Sequence, residues 1–207
     1  MSAAGLADRR PTMLQQVHGA GLVDTAGIDG SGDSLEADGA IAVEREGTAW
    51  SPAVRTADCI PLLLAAEDGS AVVAVHAGWR GTAGGIVTRA LALLRERDVL
   101  SSRLVAAVGP AIGGCCYEVG DEVAEAVAQA AGADVARLTR RHGGRLRLDL
   151  GLAVRLQLSR AGLRDRAIHV APWCTACSNG LFFSYRREGA GTGRQMACIG
   201  WSGHVPP

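Results

Sequence analysis

The stretch "CIPLLLAAEDGSAVVAVHAGWRG", residues 59 to 81, constrains the fold more than any other part of the chain. Two short apolar runs, Cys59 to Ala66 and Ala71 to Val75, flank Asp68-Gly69. Runs of this length, rich in Val, Leu and Ile, fit strands buried on both faces. Asp-Gly between them is a turn signal, so the pair reads as a β-hairpin. Cys59 opens the first strand and His76 closes the second. The open end of the hairpin therefore brings a thiol and an imidazole to the same end of the sheet.

The rest of the chain alternates strands and helices around this hairpin. Leu14–Val23, Gly39–Val43, Leu104–Val108, Ala167–Ala171, Phe182–Tyr185 and Gln195–Trp201 read as strands. Gly84–Arg97, Asp121–Ala131 and Leu146–Arg160 read as helices from their leucine and alanine spacing, with Gly120 or Asp121 capping the second. Residues 25–38 and 174–179 read as loops. Residues 1–13 are expected to be mobile. Residues 14–203 are expected to form one catalytic domain of class α/β, with mixed sheets packed against helices. A length of 207 residues and 48 % hydrophobic residues suit one full core.

Charge narrows the partners. The formal net charge is zero and all 21 basic residues are arginine, which gives no overall pull towards nucleic acid. No apolar run has the length of a membrane span or of a signal-peptide core, so a cytoplasmic protein without membrane contact is expected. Six cysteines in that compartment are expected to be reduced.

Four stretches carry candidate chemistry. His18 sits in "QVHGA" and could complete a His-Cys-His set with Cys59 and His76. Three such ligands with an open fourth position suit a catalytic zinc. Spacing alone favours a plainer reading, with Cys59 a small buried hydrophobe and each histidine bonded to a backbone carbonyl. "CTAC", Cys174 to Cys177, has ribbon spacing, but Cys115 and Cys116 are adjacent and chelate jointly only with difficulty. Ordinary thiols are therefore expected there and at Cys198. "GWRGTAGG" offers backbone N–H groups and the Arg80 fork to an anion, yet lacks the lysine of a P-loop. Arg186 and Arg187 follow the aromatic stretch "FFSY". One of them could face a cavity, although an exposed pair is the default.

Together, "QVHG", "ADGAIA", "TADCIPLLL", "VAVHAGWRGTAGGI", "VGPAIGGCCYEVGDEV", "CTAC", "FFSYRRE" and "TGRQMACIG" resemble the YfiH-like family. Its members are also called multicopper polyphenol oxidoreductase (laccase) domain proteins. The match runs from about Gln15 to Gly200. The resemblance implies a zinc-dependent purine nucleoside phosphorylase with adenosine deaminase activity, acting on purine nucleoside and phosphate. It makes His18, Cys59 and His76 the metal ligands. Arg80 and Arg186 would then hold phosphate, and Asp58 would carry a proton or orient a histidine. Two other readings stand beside this one: a copper-dependent polyphenol oxidase and a factor that edits cell-wall precursors. Five singly scattered histidines do not supply the His-rich motifs of a laccase-type copper site. The resemblance also implies an N-terminal segment with Arg-Gly-Gly and Asn-Leu-Gly motifs ahead of "QVHG", which would supply part of the sheet and of the pocket wall. This sequence begins only a few residues before "QVHG".

Overall fold

A computed structural model describes residues 9–28, 35–46, 49–178 and 180–201. In chain order the strands are β1 (Arg10–Pro11), β2 (Val23–Asp24), β3 (Gly39–Val43), β4 (Trp50–Ser51), β5 (Ala53–Thr56), β6 (Ile60–Ala66), β7 (Ala71–Ala77), β8 (Leu104–Val108), β9 (Thr139–His142), β10 (Arg145–Leu148), β11 (Ile168–Val170) and β12 (Gln195–Cys198). The helices are α1 (Trp79–Ala83), α2 (Ile86–Arg95), α3 (Asp121–Ala131), α4 (Val135–Leu138), α5 (Leu150–Arg160) and α6 (Tyr185–Glu188). This is an α/β fold with a mixed sheet, as the alternation of elements predicts.

The hairpin forms the centre of a six-stranded sheet, in the order β11-β8-β6-β7-β3-β2. β6 runs antiparallel to both β7 and β8, and β3 antiparallel to β7. The outer pairs β2–β3 and β8–β11 are parallel. Gly69 closes the hairpin with φ of 76°, a left-handed conformation that glycine adopts without strain. Ile60, Leu62 and Leu64 of β6, with Val73, Val75 and Ala77 of β7, point into the main core, where α2 and α5 cover the sheet. Side chains alternate along a strand, so His76 points to the other face, at the end of β7.

Several boundaries differ from those expected, each for a local reason. Residues 14–23 form no continuous strand; the chain bends at residues 18–20, leaving an isolated bridge of Gln15 with Glu36 on one side and the pairing of Val23–Asp24 on the other. The helix expected over 84–97 forms as α2, starting at Ile86 because its N-cap Gly85 takes a left-handed φ of 82°, and the short α1 ahead of it was not expected. The expected helix 146–160 is a strand followed by a helix. Leu146 and Leu148 alternate with arginines on β10, and Asp149 caps α5 by accepting from the Leu152 N–H at 2.8 Å. Phe182–Tyr185 is not a strand. Ser184 is an N-cap, its Oγ accepting from the Arg187 N–H, and the short α6 begins at Tyr185. Order also begins ahead of residue 14: Arg10 and Pro11 pair with Trp50 and Ser51, and Thr12 is buried. Residues 1–8 and Asn179, and part of the loop expected over 25–38, lie outside the described residues. No helix among the described residues is long and apolar enough to cross a membrane.

Leu64 is fully buried in the middle of the central strand β6. Leu64→Ala removes its packing and leaves a cavity that a paired strand cannot collapse. Urea unfolding should show a loss of about 2 to 5 kcal/mol. A loss below about 1 kcal/mol would mean that the sheet centre repacks freely.

Candidate metal centre and cleft

The hairpin does what its ends predict. Ile60 pairs with Ala77 and Pro61 with His76, which sets Cys59 beside the end of β7. The loop carrying His18 arrives from outside the hairpin. The donor atoms of His18, Cys59 and His76 all lie within 4.8 Å of one another. The two imidazole rings meet edge to face, with centroids 4.8 Å apart. His18 is exposed to the cleft, Cys59 is half-buried and His76 is buried.

Asp38 organises this group. Its side chain is completely buried. Its Oδ1 accepts from the His18 N–H at 2.9 Å and lies 2.8 Å from His76 Nδ1. Its Oδ2 accepts from the N–H groups of Val17 and Gly19, at 3.3 and 2.6 Å. Its own carbonyl accepts from the His76 N–H at 2.7 Å. Three consecutive amides thus wrap one carboxylate, an anion-binding nest made by the chain for its own side chain. This is why the "QVHGA" stretch bends instead of continuing as a strand. His18 itself sits at φ of 60°, which only such a tether holds for a residue with a side chain.

The electrostatics follow from that geometry. Burial opposes charge on Asp38, but the His76 ring and the amides of Gly19 and His18 outweigh it and lower its pKa. Burial likewise opposes charge on His76, yet Asp38 and Cys59 raise its pKa to about 9. For Cys59 burial pushes up, while hydrogen bonding from His18 and His76 brings the thiol down to about 7. With Nδ1 engaged by Asp38, His76 presents Nε2 to the centre. A soft thiolate and two imidazoles make a donor set that fits a metal ion. Gly78 leaves the space: a Cβ there would stand 3.0 Å from Cys59 Sγ and 3.4 Å from His18 Cδ2.

The group lies in a cleft of about 840 Å³. Four arginines, Arg55, Arg80, Arg186 and Arg194, share its walls with Trp79, Tyr117 and Tyr185. Arg80 is exposed at the start of α1 and stacks on Trp79, 4.5 Å from the ring centroid. Arg186 extends over Tyr117, with one guanidinium N–H donating to the Glu118 carbonyl at 3.1 Å. Arg187 turns away from the cleft and clamps the carbonyls of Thr175, Ala176 and Phe182. Both arginines are exposed, as the default expects, with Arg186 on the cleft wall and Arg187 bonded to the loop behind it.

Asp58 lies on the cleft wall, but its carboxylate is taken up. Oδ1 accepts from Thr175 Oγ1 and Oδ2 from the Arg186 N–H, both at 2.6 Å. It orients neither histidine. Its position, at φ of 87°, makes it a tether between the hairpin and the two loops that bring Thr175 and Arg186. Asp38, Tyr117, Arg55 and Arg194 carry parts of the site that residue spacing does not single out. For Asp38 the signal was present in "ADGAIA", an acid directly before a fully apolar strand, where an unpaired carboxylate is costly.

The expectation of ordinary separate thiols also changes. The sulfurs of Cys115, Cys116, Cys174 and Cys177 gather at one place behind the cleft, and Cys115 and Cys177 are exposed. Cys198 stays apart on β12. Burial pushes Cys116 up to about 11 and Cys115 higher. At Cys174 burial is outweighed by the N–H groups of Gly113, Cys177 and Ala176, bringing it down to about 7.

With the fold and this cleft in view, comparison with known proteins is direct. Residues 1–202 match the family described as multi-copper polyphenol oxidoreductase laccase. The chain belongs to this family, that of the YfiH-like proteins. "Purine nucleoside phosphorylase YlmD" of Geobacillus stearothermophilus is 42 % identical over 146 residues, 70 % of this chain and 53 % of the relative. "Purine nucleoside phosphorylase" of Deinococcus radiodurans is 41 % identical over 72 % of this chain and 56 % of the relative. These alignments thus span little more than half the length of either relative. "Purine nucleoside phosphorylase YfiH" of Escherichia coli K12 is 35 % identical over 95 % of this chain and 76 % of its own length. The crystal structure of YlmD from Geobacillus stearothermophilus superposes with a TM-score of 0.83 at 34 % identity, covering 96 % of this chain and 76 % of that one.

The nest around Asp38 gives a specific expectation. Asp38→Ala leaves three amides and the His76 ring without their partner, and should cost about 3 to 5 kcal/mol in urea unfolding of protein held in chelator. Asp38→Asn keeps an acceptor oxygen and should cost about 1 to 2 kcal/mol. Equal, small losses in both variants would show that the His18 loop holds its bend without the carboxylate.

Proposed function

We propose that this chain is a purine nucleoside phosphorylase whose centre is a zinc ion held by His18, Cys59 and His76. The observation that carries the reading is the composition of the cleft: a three-donor group facing a space walled by four arginines and three aromatic rings. The names of the relatives point the same way. Arginine forks suit a phosphate dianion, and aromatic faces suit a purine base. Zinc held by His18, Cys59 and His76 would supply a Lewis acid.

In the reaction a phosphate oxygen bonds to C1′ of the ribose and the bond from C1′ to the base nitrogen breaks. The base leaves with that electron pair and takes up a proton, and ribose 1-phosphate remains. Arg80 and Arg186 hold the phosphate against the sugar and offset its charge as the bond forms. Burial, then the charge of Cys59, raises the Tyr117 pKa to about 12, so its hydroxyl stays protonated and able to donate. Asp58 holds Arg186 in place through its backbone and is assigned positioning rather than proton transfer. Deamination of adenosine belongs to the same proposal: water replaces the amino group at C6 and ammonia leaves. A thiolate ligand among six free cysteines suits a reducing compartment, the cytoplasm.

The deciding experiment incubates zinc-loaded protein with adenosine, inosine or methylthioadenosine, with and without phosphate, and identifies the products. Free base and ribose 1-phosphate that appear only with phosphate support the reading; phenol oxidation without nucleoside cleavage overturns it. Cys59→Ser should lose the zinc ion of this centre and the phosphorolysis together.

Arg80 separates phosphate binding from the rest. It is exposed in an open cleft, where solvent screens a charge-assisted contact, so Arg80→Ala should raise the KM for phosphate about tenfold. Deamination, which uses water, should change less. Equal losses in both activities would place Arg80 on the nucleoside instead.

A further inference from the structure

We propose that Cys115, Cys116, Cys174 and Cys177 form a second metal site, a structural zinc with four thiolate ligands that ties together the two loops behind the cleft. The four Sγ atoms lie within 4.8 Å of one another, and those of Cys115 and Cys177 are 3.7 Å apart. Zinc–sulfur bonds of about 2.3 Å in a tetrahedron place each pair of sulfurs about 3.8 Å apart. The Cys115–Cys177 separation already has that value, and the other pairs reach it by shifts of no more than about 1 Å, within the range of side-chain rotation. The same 3.7 Å is far outside a disulfide bond.

Backbone geometry explains how adjacent cysteines converge with a distant pair. The first loop turns tightly, with the Cys116 and Tyr117 N–H groups both donating to the Gly113 carbonyl. The second turns in the same manner, with the Ser178 N–H donating to the Cys174 carbonyl. A bridge between Ala111 and Cys174 sets the loops side by side, and the Gly113 N–H donates to Cys174 Sγ at 3.2 Å. That last contact is the backbone N–H to sulfur bond that supports metal-bound thiolates. Gly113 has no side chain there; a Cβ would stand 3.3 Å from Cys115 Sγ and 3.7 Å from Cys174 Sγ. All-thiolate donors suit a soft or borderline ion, and a closed set of four leaves no open position, which assigns a structural rather than a catalytic role.

The site's place in the fold supports that role. Residues 111–117 and 174–178 supply Ile112 and Tyr117 to the cleft wall and Thr175 to the Asp58 tether. These loops bear no helix or strand longer than an isolated bridge. A zinc ion would cross-link these two segments, which no extended strand or helix joins.

Metal content, measured on full-length protein purified under reducing conditions and on two variants, tests this. Wild type should carry about two zinc ions per chain, Cys177→Ser about one and Cys59→Ser about one. Cobalt-loaded Cys59→Ser should keep a strong thiolate-to-metal charge-transfer band, a readout that stands even if Cys177→Ser fails to fold. If Cys59→Ser retains its zinc ion and Cys177→Ser loses one, the cluster stands whatever becomes of the phosphorylase centre. A wild-type content of one zinc ion, absent in Cys59→Ser, overturns the proposal. So does iron or copper in the cluster, or the mass loss of a disulfide among these four cysteines.

Discussion

The carboxylate of Asp38 is the contact on which the centre depends. A fully buried acid is costly unless every oxygen is answered. Here the answers are the amides of residues 17 to 19 and the ring of His76. Each satisfies the carboxylate, and each is also positioned by it. One side chain therefore sets the bend that presents His18 and the ring orientation that presents His76. Neither histidine is placed by its own strand alone: His18 lies in a bend and His76 is the penultimate residue of β7.

Strain is distributed around the same point. His18, a member of the centre, and Asp58, next to Cys59, both adopt positive φ. Residues with side chains persist in that region only when their surroundings overdetermine them, at a cost of about 1 to 3 kcal/mol each. Asp38 overdetermines the first. Thr175 and the Arg186 amide overdetermine the second. Asp58 directly precedes Cys59 at the start of the paired hairpin, so its backbone conformation is tied to the position of that thiol. Glycines complete the closeness: a Cβ at Gly81 would meet the Gly19 carbonyl at 2.6 Å, and one at Gly39 the Ala74 carbonyl at 2.7 Å. The loop of His18 can seat against α1 only because Gly81 carries no side chain, and β3 can approach β7 at its start only because Gly39 carries none.

What could be read in advance follows from the range of each interaction. The hairpin, β3, β8 and α3 are legible because their signals are local: an apolar run, an Asp-Gly turn, a period of 3.6. The boundary of β10 and α5 is harder to read, because leucines run without a break from the two-residue spacing of Leu146 and Leu148 into the helical spacing of Leu150, Val154 and Leu158, and the Asp149 cap marks the change. His18, Cys59 and His76 come together through sheet register and a carboxylate some twenty residues from one and forty from the other, which spacing does not encode. Their role as a ligand set is what the family resemblance implies. The cysteine cluster shows the limit most plainly. Cys115 and Cys116 look unsuited to joint chelation in a linear reading, yet two tight turns and one β-bridge converge all four sulfurs.

The donor set alone does not choose between zinc and copper, since two histidines and a cysteine also ligate blue copper. The proposal of zinc leans on the surroundings as well. Blue-copper sites add a weak axial ligand, usually methionine, and the described lining of this cleft holds no methionine, only Gln15 and Gln16 as alternatives. A laccase-type centre needs several histidine-rich motifs. Of the other described histidines, His142 lies exposed on β9 and His169 exposed on β11, and neither belongs to a ligand group among the described residues. The arginines carry the argument furthest. A neutral phenol gains little from four guanidinium groups, and their mutual repulsion in one cleft is relieved by an anion that engages them together. Phosphate is such an anion, and it is the co-substrate of a phosphorylase rather than of an oxidase. The family's copper-oxidase description and its members' phosphorylase names thus meet at one centre, and the charge of the cleft favours the second.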